Sequence, residues 1–372
     1  MANTLTEDIN VERGLRTAVL GTTREARAGA GIVPVIDMTD EPEKVTAAMW
    51  EAASTVGFFT LKNHGIPKAT IDAAFEASGE FFAQDREVKT EQSPFAAHLN
   101  SGYEFMSQVR PSTGTADQKE SLQITARNGA MDGRWPAEPK ALQTAARALL
   151  EASHELACRV LNRLEPRACP ELKPGTLAGS HKLWSDDGQC TLRLLHYPPT
   201  APPEENPDPL APQLWRAGPH TDWCCVTLLY QRPGDEGLEC AANPRKGSDQ
   251  GWLTVDPVEG GIAVNIGDML SRWSDGRLLS NLHRVRMPTK EECNPPRSRC
   301  MLHSTRMRVS PPRPPHSPPA NPAPISCPAF TAFLAHVSRS TSLMLDCSNF
   351  SFMRPSDLVH MICRFDRFLH AG

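Results

Sequence analysis

Apolar positions change their period along this chain. Val33-Pro34-Val35-Ile36-Asp37 reads as a short strand, after which Val45, Met49, Ala52 and Val56 recur at helical spacing, with Gly57 placed as a C-terminal cap. Phe58-Phe59-Thr60-Leu61 is a predicted strand closed by the turn Asn63-His64-Gly65-Ile66-Pro67. A second amphipathic helix carries Ile71, Phe75 and Phe82. His64 in that turn reads as a residue bonded to backbone, not as a ligand. A long helix is predicted over 140–164, with Leu142, Ala146, Leu149, Leu156, Val160 and Leu164 on one side and Pro166 ending it. Beyond it the texture turns to β. Segments 192–197, 226–230, 237–240, 252–255 and 262–266 are short, apolar and separated by Gly and Pro turns.

Short strands at near-regular intervals predict a sandwich or barrel, not a parallel α/β sheet. The fold class is mainly β with N-terminal helices (α+β), built on a double-stranded β-helix, or jelly roll. After about Arg297 the chain changes in kind. No glycine occurs between Arg277 and Gly372, and Pro311 to Pro324 reads PPRPPHSPPANPAP, a polyproline-like linker. Segments 330–337 and 358–369 read as short helices. The expected organisation is a flexible arm at 1–30, a leading domain at 31–140, the jelly roll with its long helix at 141–300, and a Pro-rich linker and atypical tail at 301–372.

Bulk properties narrow the partners. The formal net charge of −4 supplies no basic field for nucleic acid or an acidic membrane. No apolar run approaches the roughly 20 residues that span a bilayer, and MANTLTEDINVERG carries charges where a secretory signal needs an apolar block. A cytoplasmic protein acting on a small molecule is expected; its oligomeric state is not readable from the chain. The 11 cysteines form no CxxC, and the single CxxH, Cys300 to His303, has no second pair, so the expectation is reduced, structural thiols.

Candidate chemistry begins at Gly218 to Tyr230, GPHTDWCCVTLLY. His220 and Asp222 stand one residue apart at the mouth of the apolar strand. In extended chain such residues share a face with Cα atoms about 6.6 Å apart, so one metal ion can take a ligand from each. With 12 histidines in the chain, one His-x-Asp arises readily by chance and needs company. Asn281-Leu282-His283-Arg284-Val285 supplies a second imidazole from a later strand. Two histidines and a carboxylate make a face that binds Fe(II) with open positions opposite; the same donors hold catalytic zinc, and spacing does not separate the two.

The segment from His220-Thr221-Asp222 through a Gly-Leu hairpin (Gly237-Leu238), Val264-Asn265-Ile266-Gly267-Asp268, Trp273-Ser274-Asp275-Gly276 and Leu282-His283-Arg284-Val285 resembles the core of the isopenicillin N synthase-like, 2-oxoglutarate-dependent Fe(II) dioxygenases. The N-terminal segments Val33 to Asp37, Gly57-Phe58-Phe59 and Asn63 to Pro67 resemble that family's leading domain, and Arg193 to Pro199 its pocket-lining strand. The resemblance covers roughly 30–297. It implies iron ligands His220, Asp222 and His283, with 2-oxoglutarate as co-substrate and O2 as oxidant. It also implies hydroxylation, desaturation or cyclisation of a small molecule, with release of succinate and CO2. Secondary metabolites or hormone-type molecules are expected substrates by analogy. Substrate specificity is expected from the region Tyr103 to Gln108 and from C-terminal elements.

The family's Arg-x-Ser, whose arginine binds the far carboxylate of 2-oxoglutarate, is altered here. Arg297-Ser298-Arg299-Cys300 puts Arg299 at the serine position, which makes Arg297 the expected anchor and Arg299 its alternative, with Tyr197 a further candidate for a carboxylate. Met301 to Thr305 replaces the family's aromatic-aliphatic strand, which puts the closing strand of the roll in question. Two other functions fit the same residues: an Fe(II) oxidase that works without 2-oxoglutarate, as isopenicillin N synthase does, and a catalytically silent binding relative.

Overall fold

Period-2 alternation on the central strands separates two cores, and the functional cavity lies in one of them. The computed structural model describes residues 33–110, 113–199, 214–242 and 251–288, and the backbone of 299–306. These fall within one compact unit, Arg16–Arg308. The expected N-terminal arm, the Pro-rich linker and the helices at 330–337 and 358–369 lie outside the described residues.

Strand β1 (Val35–Asp37) leads to helix α1 (Pro42–Thr55), β2 (Phe58–Lys62), α2 (Lys68–Phe82) and α3 (Arg86–Gln92). Strands β3 (Gly102–Phe105) and β4 (Glu120–Thr125) precede the long helix α4 (Ala141–Ala168) and the short α5 (Thr176–Gly179). Then come β5 (Cys190–Tyr197), β6 (Ala217–His220), β7 (Val226–Tyr230), β8 (Leu238–Ala241), β9 (Trp252–Thr254) and β10 (Ile262–Ile266). Helix α6 (Asp268–Trp273), β11 (His283–Val285) and β12 (Arg299–Arg306) complete the unit. An eight-stranded sheet has the order β1-β2-β10-β7-β12-β5-β4-β3, and a four-stranded sheet the order β6-β11-β8-β9. The large sheet thus joins strands from both sides of residue 140.

One face of the large sheet packs on the helices. Phe59 and Leu61 of β2, Val226, Leu228 and Tyr230 of β7, Ile262 and Val264 of β10, and Leu192 and Leu194 of β5 share a core with Leu142, Leu149, Leu156 and Val160 of α4. Residues one step away on those strands, Phe58, Leu229, Ala263, Leu195 and Tyr197, belong to a second core with Ala217, Leu238 and Val285 of the small sheet. Among the described residues no helix is long and apolar enough to cross a membrane. Among the described residues, Cys169 and Cys240 are free thiols.

Three sequence expectations are corrected. Met301 to Thr305 is not a lost strand: β12 pairs with β5 from Arg299↔Tyr197 to Arg306↔Cys190, and with β7 from Leu302↔Tyr230 to Arg306↔Val226. Ladder hydrogen bonds come from the backbone, so the altered side chains do not prevent pairing, and the strand passes the expected boundary at 300. Pro166 does not end α4, which runs to Ala168. A proline in the last turn removes a single ladder donor, and the Cys169 N–H still reaches the Glu165 carbonyl at 2.8 Å. Strands β3 and β4 had no counterpart in the pattern, because Ser121, Gln123 and Thr125 are polar yet buried.

Candidate metal centre

His220 and Asp222 do not lie on one extended run leading into β7. His220 closes β6 in the small sheet, and Asp222 sits on the connection that crosses to β7 in the large one. His283 opens β11, which pairs with β6 so that His283 and His220 are direct cross-strand partners. Their ring centroids are 4.3 Å apart. The Nε2 atoms of His220 and His283 each lie 3.8 Å from Asp222 Oδ1.

Each side chain is held by its surroundings. Asp222 Oδ2 accepts from the Thr227 hydroxyl (2.7 Å) and from Asn265 Nδ2 (2.9 Å), which turns Oδ1 towards the imidazoles. Asn265 is therefore held by this carboxylate on the face of β10 that lines the cavity. The Asp268 N–H donates to the Asp222 carbonyl at 2.7 Å. Gly267 is required there, because a Cβ would fall 2.1 Å from the Cys224 carbonyl oxygen. Asn281 Nδ2 donates to the carbonyls of Val56 and Ala241, both at 2.8 Å, fixing the approach to β11. Next to His283 in sequence, Arg284 donates to Glu239 Oε2 at 2.6 Å. Its guanidinium also lies 3.9 Å from the Trp252 ring centroid and 4.8 Å from that of Trp215.

Tautomers follow from the partners. His220 Nδ1 faces the Gly218 carbonyl at 2.7 Å, and His283 Nδ1 faces the Asn281 carbonyl at 3.2 Å. A carbonyl only accepts, so Nδ1 carries the proton in each ring and Nε2 is an acceptor. Burial, the neighbouring His283 and then Arg110 hold the His220 pKa well below its ordinary value, so the ring is neutral. Two imidazole nitrogens and a carboxylate oxygen, all within 4.8 Å of one another, are three acceptors turned on one point. Such a set repels itself until a cation sits among the atoms, and its chemistry fits Fe(II).

The three residues line a cavity of about 580 Å3, open solvent at its mouth included. Phe58, Leu195, Leu229, Leu238 and Val285 make its apolar wall. Tyr197 lines it too, is buried, and has an Arg216 guanidinium 5.2 Å from its ring centroid. Arg297 lies outside the described residues. The backbone of Arg299 stands opposite Tyr197 in register, and its side chain lies outside the described ones. Tyr103 does not face this cavity: it is buried on the helix side, bonded to Glu120. Instead Arg110, Lys119 and Arg193 supply the charged wall. Sequence reasoning gave no role to Arg110 and Lys119 and placed Arg193 only within the pocket-lining strand. The signal for Lys119 was the alternation Asp117, Lys119, Ser121, Gln123, Thr125, a polar period-2 run that marks one face of an extended segment.

Two imidazoles and a carboxylate lining one cavity are the donor set of the non-haem Fe(II) oxygenases. Comparison with known proteins agrees. Residues 33–143 match the family model described as non-haem dioxygenase in morphine synthesis, N-terminal, and residues 188–306 match the 2OG-Fe(II) oxygenase superfamily. The chain is 32% identical over 258 residues to the 2-oxoglutarate-Fe(II) type oxidoreductase hxnY of Emericella nidulans, covering 65% of this chain and 69% of that one. It is 29% identical to the validamycin A dioxygenase of Streptomyces hygroscopicus subsp. limoneus, over 70% and 73% of the two chains. The crystal structure of a full-length Neurospora crassa protein in complex with alpha-KG superposes with a TM-score of 0.60 at 25% identity, over 76% of this chain and 87% of that one. The chain belongs to the 2OG-Fe(II) oxygenase superfamily, and it is an Fe(II)- and 2-oxoglutarate-dependent oxidoreductase.

Proposed function

We propose that His220, Asp222 and His283 are the iron ligands of a dioxygenase that oxidises a small molecule in the cavity they line. The observation that carries this is the convergence of three acceptor atoms within 4.8 Å, with no sequence proximity between His283 and the other two. When bound, Fe(II) with 2-oxoglutarate and O2 supplies an oxidative decarboxylation to succinate and CO2 coupled to attack on a C–H bond. The chain's own residues do the rest. Thr227 and Asn265 orient Asp222, Gly218 and Asn281 fix the imidazole tautomers, and the apolar wall excludes water from the reacting centre.

The two sheets enclosing this cavity are read as the double-stranded β-helix core, with β12 as the strand that completes the larger one. Tyr197 and an arginine of Arg297-Ser298-Arg299 are the proposed holders of the far carboxylate of 2-oxoglutarate. Arg297 takes that role, with Arg299 as the alternative. Structures of the same Neurospora crassa protein with thymine and with 5-formyluracil support a small-molecule substrate. The test is anaerobic. Fe(II) and then 2-oxoglutarate are added to the purified protein, and the visible metal-to-ligand charge-transfer band of the chelate is followed. A saturating band is expected; iron binding without any band would overturn the co-substrate assignment.

A further inference from the structure

The cavity carries charge that the metal face does not use. Asp117, with its side chain only 1% exposed, lies between Arg110 and Lys119. Its Oδ1 accepts from the Gly218 N–H at 2.8 Å. Its Oδ2 is shared by Arg110 Nε at 3.0 Å, Arg110 Nη2 at 2.9 Å and Lys119 Nζ at 2.6 Å. Both carboxylate oxygens are therefore engaged, while an ammonium has three donors and a guanidinium five. Two cations face one carboxylate, which leaves one positive charge in surplus. A purely structural pairing needs one cation per carboxylate, and an unmatched buried charge is costly.

Arg193, on the same wall, does not change that count, because the Glu104 carboxylate, and then Asp222 and Asp117, face its guanidinium. Its Nη2 donates to the neutral Gln123 amide at 2.8 Å, and its Nε has no hydrogen-bond partner among the described residues. Lys119 registers the excess: burial, and then Arg110 and Arg193, push its amine down to about 8 against the pull of Asp117. Phe58, Leu195, Leu229, Leu238 and Val285 make the apolar part of the wall. The cluster is fastened to the strand that carries His220, through Gly218 N and through the Gln118 N–H to the Trp215 carbonyl at 2.9 Å. Tyr197 and Arg299 stand instead on β5 and β12.

We infer that Arg110 and Lys119 form a carboxylate clamp for the substrate, and that the substrate is a monocarboxylic acid with an apolar body. One unit of surplus charge beside Asp117 calls for one unit of negative charge, which a carboxylate supplies; a phosphate monoester brings close to two. The clamp orients the acid end while the apolar body lies against Phe58, Leu195 and Leu229. This inference rests on the cavity being the active site proposed above.

The test is calorimetric titration of the Fe(II)- and 2-oxoglutarate-loaded protein under nitrogen. The probes are a panel of aromatic and aliphatic monocarboxylates, including phenylacetate and indole-3-acetate, each beside its primary amide. At least one acid is expected to bind about 10-fold or more tightly than its amide. Arg110→Gln and Lys119→Met should remove that preference. Arg110→Gln leaves Asp117 paired with Lys119, which guards against a variant that does not fold. The half-saturation of the charge-transfer band by 2-oxoglutarate should be unchanged in Arg110→Gln.

A panel in which no acid outbinds its amide overturns the clamp. So does a 2-oxoglutarate half-saturation raised about 10-fold in Arg110→Gln, which would make the pair the co-substrate anchor. Absence of the band in the wild-type protein is a failure of the proposed function instead. The acid–amide comparison on metal-free protein then decides the clamp by itself, since neither Arg110 nor Lys119 is a metal ligand.

Discussion

Two clusters of histidine and carboxylate lie on opposite faces of the large sheet, and they differ in what their carboxylates meet. On the helix side, Glu120 Oε1 meets His196 Nδ1 at 2.5 Å, and Oε2 meets Lys89 Nζ at 2.8 Å and the Tyr103 hydroxyl. Phe82 stacks on His196 with ring centroids 5.2 Å apart, and Lys89 also donates to the Phe82 carbonyl at 3.0 Å. Every acceptor of Glu120 faces a donor, so the cluster is closed. On the cavity side, Asp222 Oδ1 faces two imidazole nitrogens that are themselves acceptors. Residue type does not distinguish the clusters; the donor–acceptor count does. A set of groups that satisfy one another holds a fold together, whereas a set that shares one polarity needs a ligand.

The sharpest way to break this comparison is to remove one member from each side. His220→Ala should abolish the charge-transfer band and lower Fe(II) affinity by more than about 100-fold, since losing a ligand outweighs losing its outer-shell partner. His196→Ala should leave the band in place. Equal loss in both variants would mean that the helix-side cluster also serves the metal. Next in size is Glu120→Ala, which strands Lys89 with its side chain 6% exposed. Breaking such a pair costs about 3–5 kcal/mol, read as a lower denaturant midpoint, with Fe(II) binding retained by the folded fraction. A loss below about 1 kcal/mol, the range of an exposed pair, would show that the network is not structural.

How far the sequence disclosed each region follows from the same distinction. The proposed metal ligands His220, Asp222 and His283 were readable as candidates because they stand in short ordered motifs whose residue types have few other uses together. The alternating strands β2, β5, β7 and β10 were readable because each buries an apolar face against the helices. The clamp was not. Asp117 and Lys119 look like a solvated polar stretch until Gly218 N and Arg110 are brought to them across the fold. Glu120 and His196 are 76 residues apart and become partners only through the β4–β5 register. Likewise β12 was obscured because its pairing rests on backbone groups, not on the side chains that looked foreign to the family.

Smaller changes sharpen the comparison on the metal side. Asn265→Ala removes one of the two donors that turn Asp222 and leaves all three ligand atoms in place. Outer-shell losses of this kind weaken metal binding by about 10–100-fold, so an anaerobic Fe(II) titration should separate Asn265→Ala from both wild type and His220→Ala. Affinity as low as that of His220→Ala would mean that Asn265 is itself a ligand.

The smallest effect concerns acid. Burial alone would raise the Glu120 carboxyl, but hydrogen bonds from His196, Lys89 and Tyr103 outweigh it and hold the pKa below the ordinary value of 4.5. A folded pKa below the unfolded one stabilises the protein above the unfolded value, and that contribution is lost as the pH falls towards the folded value. Wild type should therefore lose stability between pH 4.5 and the lower folded value, to which a Glu120→Gln variant should be much less sensitive. The measurement is the urea midpoint of both proteins, metal-free, down through that range. Metal-free protein matters, because protonation of Asp222 and the imidazoles also releases iron in acid and would imitate the effect. Parallel acid profiles for the two proteins would place the acid sensitivity elsewhere, and the closed cluster would then owe its rigidity to packing around Phe82 and His196 rather than to its charge.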